Sequence, residues 1–151
     1  MSKSKITDNF NQKMLNLAKQ QSLYSPDPST KVGCVIYTKK QEIIRSYNNF
    51  PVGIKELPER LKRPEKYNWI EHAERNAIYI AAKKGISLEN STMFLNWYPC
   101  IDCARSIIQS GISELVCENE PNYNDERWGD QFKIVTKLLN EANIKVCFSC
   151  K

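Results

Sequence analysis

His72 is the only histidine in this chain of 151 residues. It opens the run "HAERNAIYIAAKK", with Glu74 two positions on, and lies 28 positions before the first cysteine of "PCIDC" (99–103). Cys100 and Cys103 form a C-x-x-C pair behind Pro99. On a helix that spacing puts both sulfurs on one side of the first turn. Proline suits a helix start, where its missing N–H would have had no partner. The partial positive charge of a helix N-terminus favours thiolates over thiols. Two thiolates this close repel each other unless a cation lies between them, and a sulfur and imidazole set suits zinc.

A C-x-x-C alone could equally be a redox pair or half of a structural zinc site. The lone histidine, also at a helix start, sharpens the reading. Residues two apart on a regular helix point to nearly opposite sides. In the first turn, side chains lean toward the helix N-terminus, so His72 and Glu74 can both reach a site over that end. The expected geometry is two helix N-termini aimed at one metal. His72, Cys100 and Cys103 make three ligands. A structural zinc wants four, whereas a catalytic one keeps a position for water and brings that water's pKa near neutrality. Glu74 cannot be a tight fourth ligand and a proton carrier at once. As a carrier it would move the water's proton to a ring nitrogen.

The rival is a non-catalytic module completed by the second C-x-x-C, Cys147 and Cys150. Its separation from Cys103 exceeds the roughly 15–20 residues usual in zinc ribbons. It would also leave His72 and Glu74 unexplained. Three apart on a strand, Cys147 and Cys150 face opposite ways, so Cys147 reads as core and Cys150 as a terminal thiol. Cys34 and Cys117 read as small buried apolar residues. Glu71 is either solvated and ion-paired or positioned to orient His72. Arg105 reads as surface.

The elements that must position these residues follow from periodicity. Ile6, Phe10, Met14, Leu17 and Ala18 make one stripe of a helix over 5–22. "SPDPST" (25–30) ends it, because Pro26 and Pro28 cannot continue a helix. "KVGCVIYT" (31–38) and "EIIRSYN" (42–48) make a hairpin across "KKQ". Residues 49–70, punctuated by Pro51, Pro58 and Pro64, read as a long ordered loop with one helical turn at 56–62. Its far end packs on something through Tyr67 and Trp69. A helix over 72–84 closes at Gly85. A strand (91–97), a turn entering a helix (98–111), a strand (114–118), a helix (127–142) and a strand (144–149) follow. Trp128 heads the apolar stripe of that last helix and reads as core. The order is α, β-hairpin, α, β, α, β, α, β. It implies a three-layer α/β/α fold, with a largely parallel sheet covered on both faces and an opening antiparallel edge.

Length implies one domain over 1–151. The composition, 41% hydrophobic and 26% charged, is that of a soluble globular protein. No apolar run reaches the roughly 20 residues that span a bilayer. "MSKSKITDNFNQ" lacks the apolar core of a signal peptide. The expected location is the cytoplasm, where six cysteines point to metal or catalysis before disulfides. A net charge of +5 is compatible with nucleic acid, a phosphorylated small molecule or simply a solvated surface; with no block made only of lysine or arginine to force the first, nucleic acid is not the expected partner.

"HAE" with "PCIDC" resembles the zinc signature of the cytidine and deoxycytidylate deaminase superfamily, over about residues 24–146. The resemblance implies a mixed sheet with helices on both faces. It implies a zinc ion on His72, Cys100 and Cys103, with Glu74 as general acid and base in hydrolytic deamination. "SPDPSTKVG", "SYNNFPVG", "HAERNAI" and "NYNDERWGDQF" resemble deoxycytidylate deaminases in particular. By that analogy the substrate is dCMP, Asn48 bonds the sugar, Tyr123 lies near the ribose or phosphate, and backbone around Ala73 holds the pyrimidine carbonyl. Asn48 has a plainer alternative, steadying the loop after a strand, as Tyr123 has in capping the last helix. Ser46 and Asn49 depart from the two glycines of the family's "GYNG". Trp97 and Tyr98 are bulkier than the usual lead-in to the proline and are expected to wall the base pocket. Another nucleotide, free cytidine or tRNA adenosine are the alternative substrates. The resemblance also implies a homo-oligomer, a hexamer among the candidates, with 50–70 as a contact region.

Overall fold

The computed structural model describes residues 3–149, with side chains from Asp8 onward. The expectations for Ile6 and Cys150 fall outside the described side chains. Helix α1 spans Lys3–Ser22. Phe10, Met14, Leu17 and Ala18 form its buried stripe as expected, and Leu15 joins them. The hairpin pairs β1 (Gly33–Tyr37) with β2 (Ile43–Tyr47). Gln41, with φ of 66°, turns the chain between them, and Thr38 Oγ1 accepts the Glu42 N–H at 3.0 Å. The remaining elements are α2 (Lys66–Trp69), α3 (Ala73–Lys84), β3 (Thr92–Leu95), α4 (Ile101–Gln109), β4 (Glu114–Cys117), α5 (Gly129–Glu141) and β5 (Lys145–Phe148). Among the described residues, no helix is long and apolar enough to cross a membrane.

The five strands lie in the order β2-β1-β3-β4-β5. β3 pairs parallel with β4, and β4 with β5. β1 pairs antiparallel with β3 as well as with β2. The sheet is therefore mixed, as the family resemblance implies, and less parallel than the alternation of elements suggests. Alternation identifies β1 as a strand and carries no information on its second neighbour. All strands except β1 run the same way, and the chain steps across the sheet in one direction. Right-handed crossovers then put α3, α4 and α5 on the same face. There they bury Ala73, Ala77, Ala81, Ile107, Val135 and Leu139 against Ile36, Met93, Leu95 and Leu115. Among the described residues, the opposite face is closed by α1 alone, with Leu15 and Ala18 on Val35, Phe94 and Val116. Contact there is close enough that a Cβ on Gly33 would lie 1.8 Å from the Ala18 carbonyl oxygen.

Cys34 and Cys117 are fully buried, while Cys147 is half-buried against the α1-side cluster. The expected turn at 56–62 is a 3₁₀ turn over Pro58–Leu61. The short α2 that follows was not legible in the sequence. Residues 50–70 form a strap whose ends are stapled together. Asn49 N–H donates to the Glu71 carbonyl at 3.1 Å, and Glu71 N–H returns to Asn49 at 2.8 Å. Within the strap the Arg60 guanidinium lies 3.7 Å from the centre of the Trp69 ring.

Candidate active site

Each of the three donor residues stands where a helix begins. His72 is the N-cap of α3, in extended conformation, and Glu74 lies in the first turn behind it. Four bonds hold this start. Ser46 donates its hydroxyl to the Ala73 carbonyl at 2.6 Å. Asn76 donates its amide to the Tyr47 carbonyl at 3.0 Å. Glu71 accepts the His72 N–H at 2.9 Å and the Arg75 guanidinium at 2.6 Å. Glu71 is thus both ion-paired and bonded to the histidine's backbone, which joins the two readings the sequence left open. At α4, Cys100 is the N-cap and its sulfur accepts the Cys103 N–H at 3.4 Å. Pro99 accordingly precedes the cap rather than filling the first helical position.

The two helix starts converge. His72 Nδ1 lies 3.5 Å from Cys100 Sγ and 3.4 Å from Cys103 Sγ. A tetrahedral ion with bonds of about 2.3 Å to sulfur and 2.0–2.1 Å to nitrogen needs nitrogen–sulfur edges of about 3.5 Å. The two nitrogen–sulfur spacings therefore suit a metal ion. All three donor atoms lie within 4.8 Å of one another, and among the described residues they form the one cluster of this kind. Cys147 is not in it; its sulfur faces Glu114 at 3.7 Å.

The charges say the same. A hydrogen bond from Cys103, aided by His72, holds the Cys100 thiol down to about 4. The bond to Cys100 and burial push the Cys103 thiol far above its usual range. Left to themselves, the pair accommodates one thiolate and resists the second, so a cation between them is what permits both. His72 is raised mainly by its bond to Cys100, against the effect of burial. The Glu74 carboxyl is buried and raised by that burial, with His72 opposing the shift. Arg75 extends from α3 toward Asp102 of α4 at 3.7 Å and so spans both helix starts.

Beside these donors opens a cavity of about 560 Å³. His72, Ala73, Glu74 and Cys100 form its floor, and Asn48, Trp97 and Tyr98 form part of its wall. Trp97 is half exposed. Tyr98 is buried edge-on against Phe132, and its hydroxyl meets Thr136 Oγ1 at 2.8 Å. Burial, above all, pushes the Tyr98 hydroxyl up to about 12. The Asn48 amide is engaged on both sides: Oδ1 accepts from Val32 N–H and Nδ2 donates to the Thr30 carbonyl, each at 2.9 Å. Tyr123 does not line the cavity; its hydroxyl meets the same Thr136 at 2.9 Å. Arg105 is exposed beside Asp102, as expected.

Sequence reasoning missed several wall residues. Asp27, Arg63, Lys66, Tyr67 and Arg127 face the cavity, and Trp128, expected in the core, lines it while packing partly on the core. For Asp27 a signal existed. In "DPST" its Oδ1 accepts the Ser29 and Thr30 N–H groups at 2.9 and 3.2 Å, a turn that Asp favours. For Lys66 there was none, since a lysine in a charged stretch reads as solvated.

Comparison with known proteins agrees with this geometry. Residues 8–119, which include all three donors and Glu74 but not Tyr123, match the family profile of the cytidine and deoxycytidylate deaminase zinc-binding region. An uncharacterised deaminase of Aliivibrio fischeri is 31% identical over 89% of both chains. A probable deoxycytidylate deaminase of Caenorhabditis elegans is 38% identical over 88% of this chain and 66% of its own length. Human deoxycytidylate deaminase is 32% identical over 80% of this chain and 68% of its own length. In fold, the chain is similar to the dCMP deaminase of cyanophage S-TIM5 in its apo form, with a TM-score of 0.72, 24% identity and coverage of 93% and 97% of the two chains. The donor set at two helix starts, the mixed sheet behind it and the profile match agree: this chain belongs to the cytidine and deoxycytidylate deaminase zinc-binding family.

Proposed function

We propose that this chain is a zinc-dependent hydrolase that converts dCMP to dUMP and ammonia within one deaminase domain. The observation that carries the proposal is the approach of His72 Nδ1 to both sulfurs at about equal distance, with Glu74 buried on the same cavity floor. Relatives named deoxycytidylate deaminase support the choice of substrate. So does a structure of the cyanophage enzyme that contains dCMP and dUMP, similar in fold with a TM-score of 0.67.

His72, Cys100 and Cys103 would hold the zinc, whose chemistry is to make a water acidic enough to attack at neutral pH. Glu74 takes the proton of the attacking water, delivers it to the pyrimidine ring, and later protonates the departing amine. The backbone at Ala73 holds the pyrimidine carbonyl, and Trp97 and Tyr98 form a wall of the base pocket. Asn48 keeps one amide hydrogen beyond its bond to Thr30, and that hydrogen meets the sugar. Tyr123 steadies Tyr98 through their shared Thr136. The free thiols of Cys34, Cys100, Cys103, Cys117 and Cys147 support a reducing, cytoplasmic setting, and the chain works as a homo-oligomer.

The test is ammonia release from cytidine, CMP, dCMP, dCTP, adenosine and guanine. Release is expected to be fastest from dCMP, and Glu74→Ala is expected to lower it by about 10²–10⁴-fold or more while zinc content is unchanged. Full activity in Glu74→Ala, or no release from dCMP, would sink the proposal. An enzyme acting on tRNA would instead bind steeply more weakly as salt rises, through its phosphate contacts.

A further inference from the structure

Lys66 is 5% exposed and Asp27 is 3% exposed, yet both are charged and both line the cavity. Lysine is almost never this buried without a partner. Lys66 Nζ donates to Asp27 Oδ2 and to Ser29 Oγ, each at 2.9 Å. Asp27 Oδ1 binds the Ser29 N–H, the Ser29 hydroxyl and the Thr30 N–H. The pair therefore joins two segments far apart in sequence. One is the turn before β1, which carries Thr30 and Val32 to the cavity wall. The other is the strap, which carries Arg63, Tyr67 and Ile70 to it.

The rest of the strap is turned on itself. Arg60 bonds the Lys55 carbonyl, Arg63 bonds the Tyr67 hydroxyl at 2.9 Å, and Trp69 bonds Glu65. The backbone N–H groups of Ile54, Leu57, Arg60, Lys66, Tyr67, Asn68 and Ile70 also bond to carbonyls inside the segment. Leu57, Leu61, Trp69 and Ile70 belong to neither apolar cluster of the core. Among the described residues, Lys66 is the one residue of 51–69 that makes polar contacts outside the segment.

We infer that the Lys66–Asp27 pair is a positioning pair for substrate binding: it is the anchor that holds the strap against the turn before β1, and so shapes one wall of the cavity without touching the reacting atoms. A wall that is held ready lowers the ordering cost of binding and leaves the chemical step to the donors and Glu74. Its kinetic consequence rests on the proposed function; its structural consequence does not.

The test uses Lys66→Met, Asp27→Asn and the double variant of the full-length, zinc-loaded protein. Lys66→Met keeps the side-chain length and leaves Asp27 its three bonds to Ser29 and Thr30. The double variant leaves no lone buried charge, which protects folding if either single variant is unstable. Amide hydrogen exchange in 51–69 is expected to accelerate by at least about tenfold in each variant; in the double variant, which keeps no lone buried charge, α3 and α4 are expected to be unchanged. The KM for dCMP is expected to rise by about tenfold or more while kcat stays within about threefold. The double variant is expected to be no worse than the singles, because all three break one link. Unchanged exchange in 51–69, or a kcat that falls with KM unmoved, would overturn the inference. A wild-type protein that deaminates no cytosine nucleotide would overturn the proposed function alone, and the exchange measurement would still decide the anchor.

Discussion

Glu74 and Asp27 are both buried carboxyls, and their surroundings drive them in opposite directions. Glu74 is raised because burial outweighs the pull of His72. Burial would also raise Asp27, but the Lys66 ammonium and the Ser29 and Thr30 amides together outweigh it and hold the carboxyl below its ordinary 3.8. The sign of the stability effect follows. A group held below its unfolded pKa stabilises the fold above that value, and the contribution disappears as pH falls through the folded pKa. Asp27→Asn removes the ionised partner of a buried lysine, a loss of about 3–5 kcal/mol at neutral pH. The gap in melting temperature between wild type and Asp27→Asn is thus expected to be constant from pH 7 to about 5 and to close below about 4. A gap that persists unchanged to pH 3 would show that charge is not its source. At this scale the sequence was legible where a residue type is rare or its spacing is specific. His72 and the C-x-x-C pair are such cases. Lys66 is not, because burial is a property of the folded surroundings and leaves no local mark.

At the scale of elements, the start of α3 is held from β2 by Ser46 and Tyr47, whereas that of α4 is capped locally by the Cys100 sulfur. Gly85, in the left-handed conformation with φ of 69°, closes α3 where the sequence placed its end. Gly33 has a different duty. It lets α1 sit against β1, since a Cβ there would lie 1.8 Å from the Ala18 carbonyl oxygen and 2.7 Å from the Ser22 nitrogen. Both obstacles are backbone atoms that cannot rotate away. Gly33→Ala is therefore expected to cost about 3 kcal/mol, read as a lower denaturation midpoint, with the metal donors on the opposite face unaffected. A midpoint equal to wild type would mean that α1 shifts at no cost. Helices and strands were legible because their apolar periods differ. The partner of β1 was not, because pairing between β1 and β3 depends on a long-range choice that the alternation inside β1 does not encode.

For the molecule as a whole, a metal ion on His72, Cys100 and Cys103 would tie the strap's stapled end at Glu71–His72 to the start of α4 across the helical face. Loss of a cation from two neighbouring sulfurs should therefore be felt beyond the site. Binding to the folded state alone stabilises it by mass action. Chelator treatment is expected to lower the melting temperature by several degrees, consistent with a few kcal/mol at ligand well above its Kd. Restored zinc should recover it, whereas His72→Ala should melt like the stripped protein and not respond. Equal melting with and without metal would remove the ion from the fold's stability.

The reversed direction of β1 has a consequence for how such a protein can diversify. Because β1 alone runs against its neighbours, the turn leading into it reaches the same rim as the segments leaving β2, β3 and β4. Asp27 to Val32, Asn48 with the strap, Trp97 and Tyr98, and Asp125 to Trp128 meet there around one cavity. Four separate connections can therefore lengthen, shorten or change sequence one at a time, while the sheet and the two helix starts remain as they are. If the proposed function holds, substrate preference can be rewritten in any of them without moving His72, Glu74, Cys100 or Cys103.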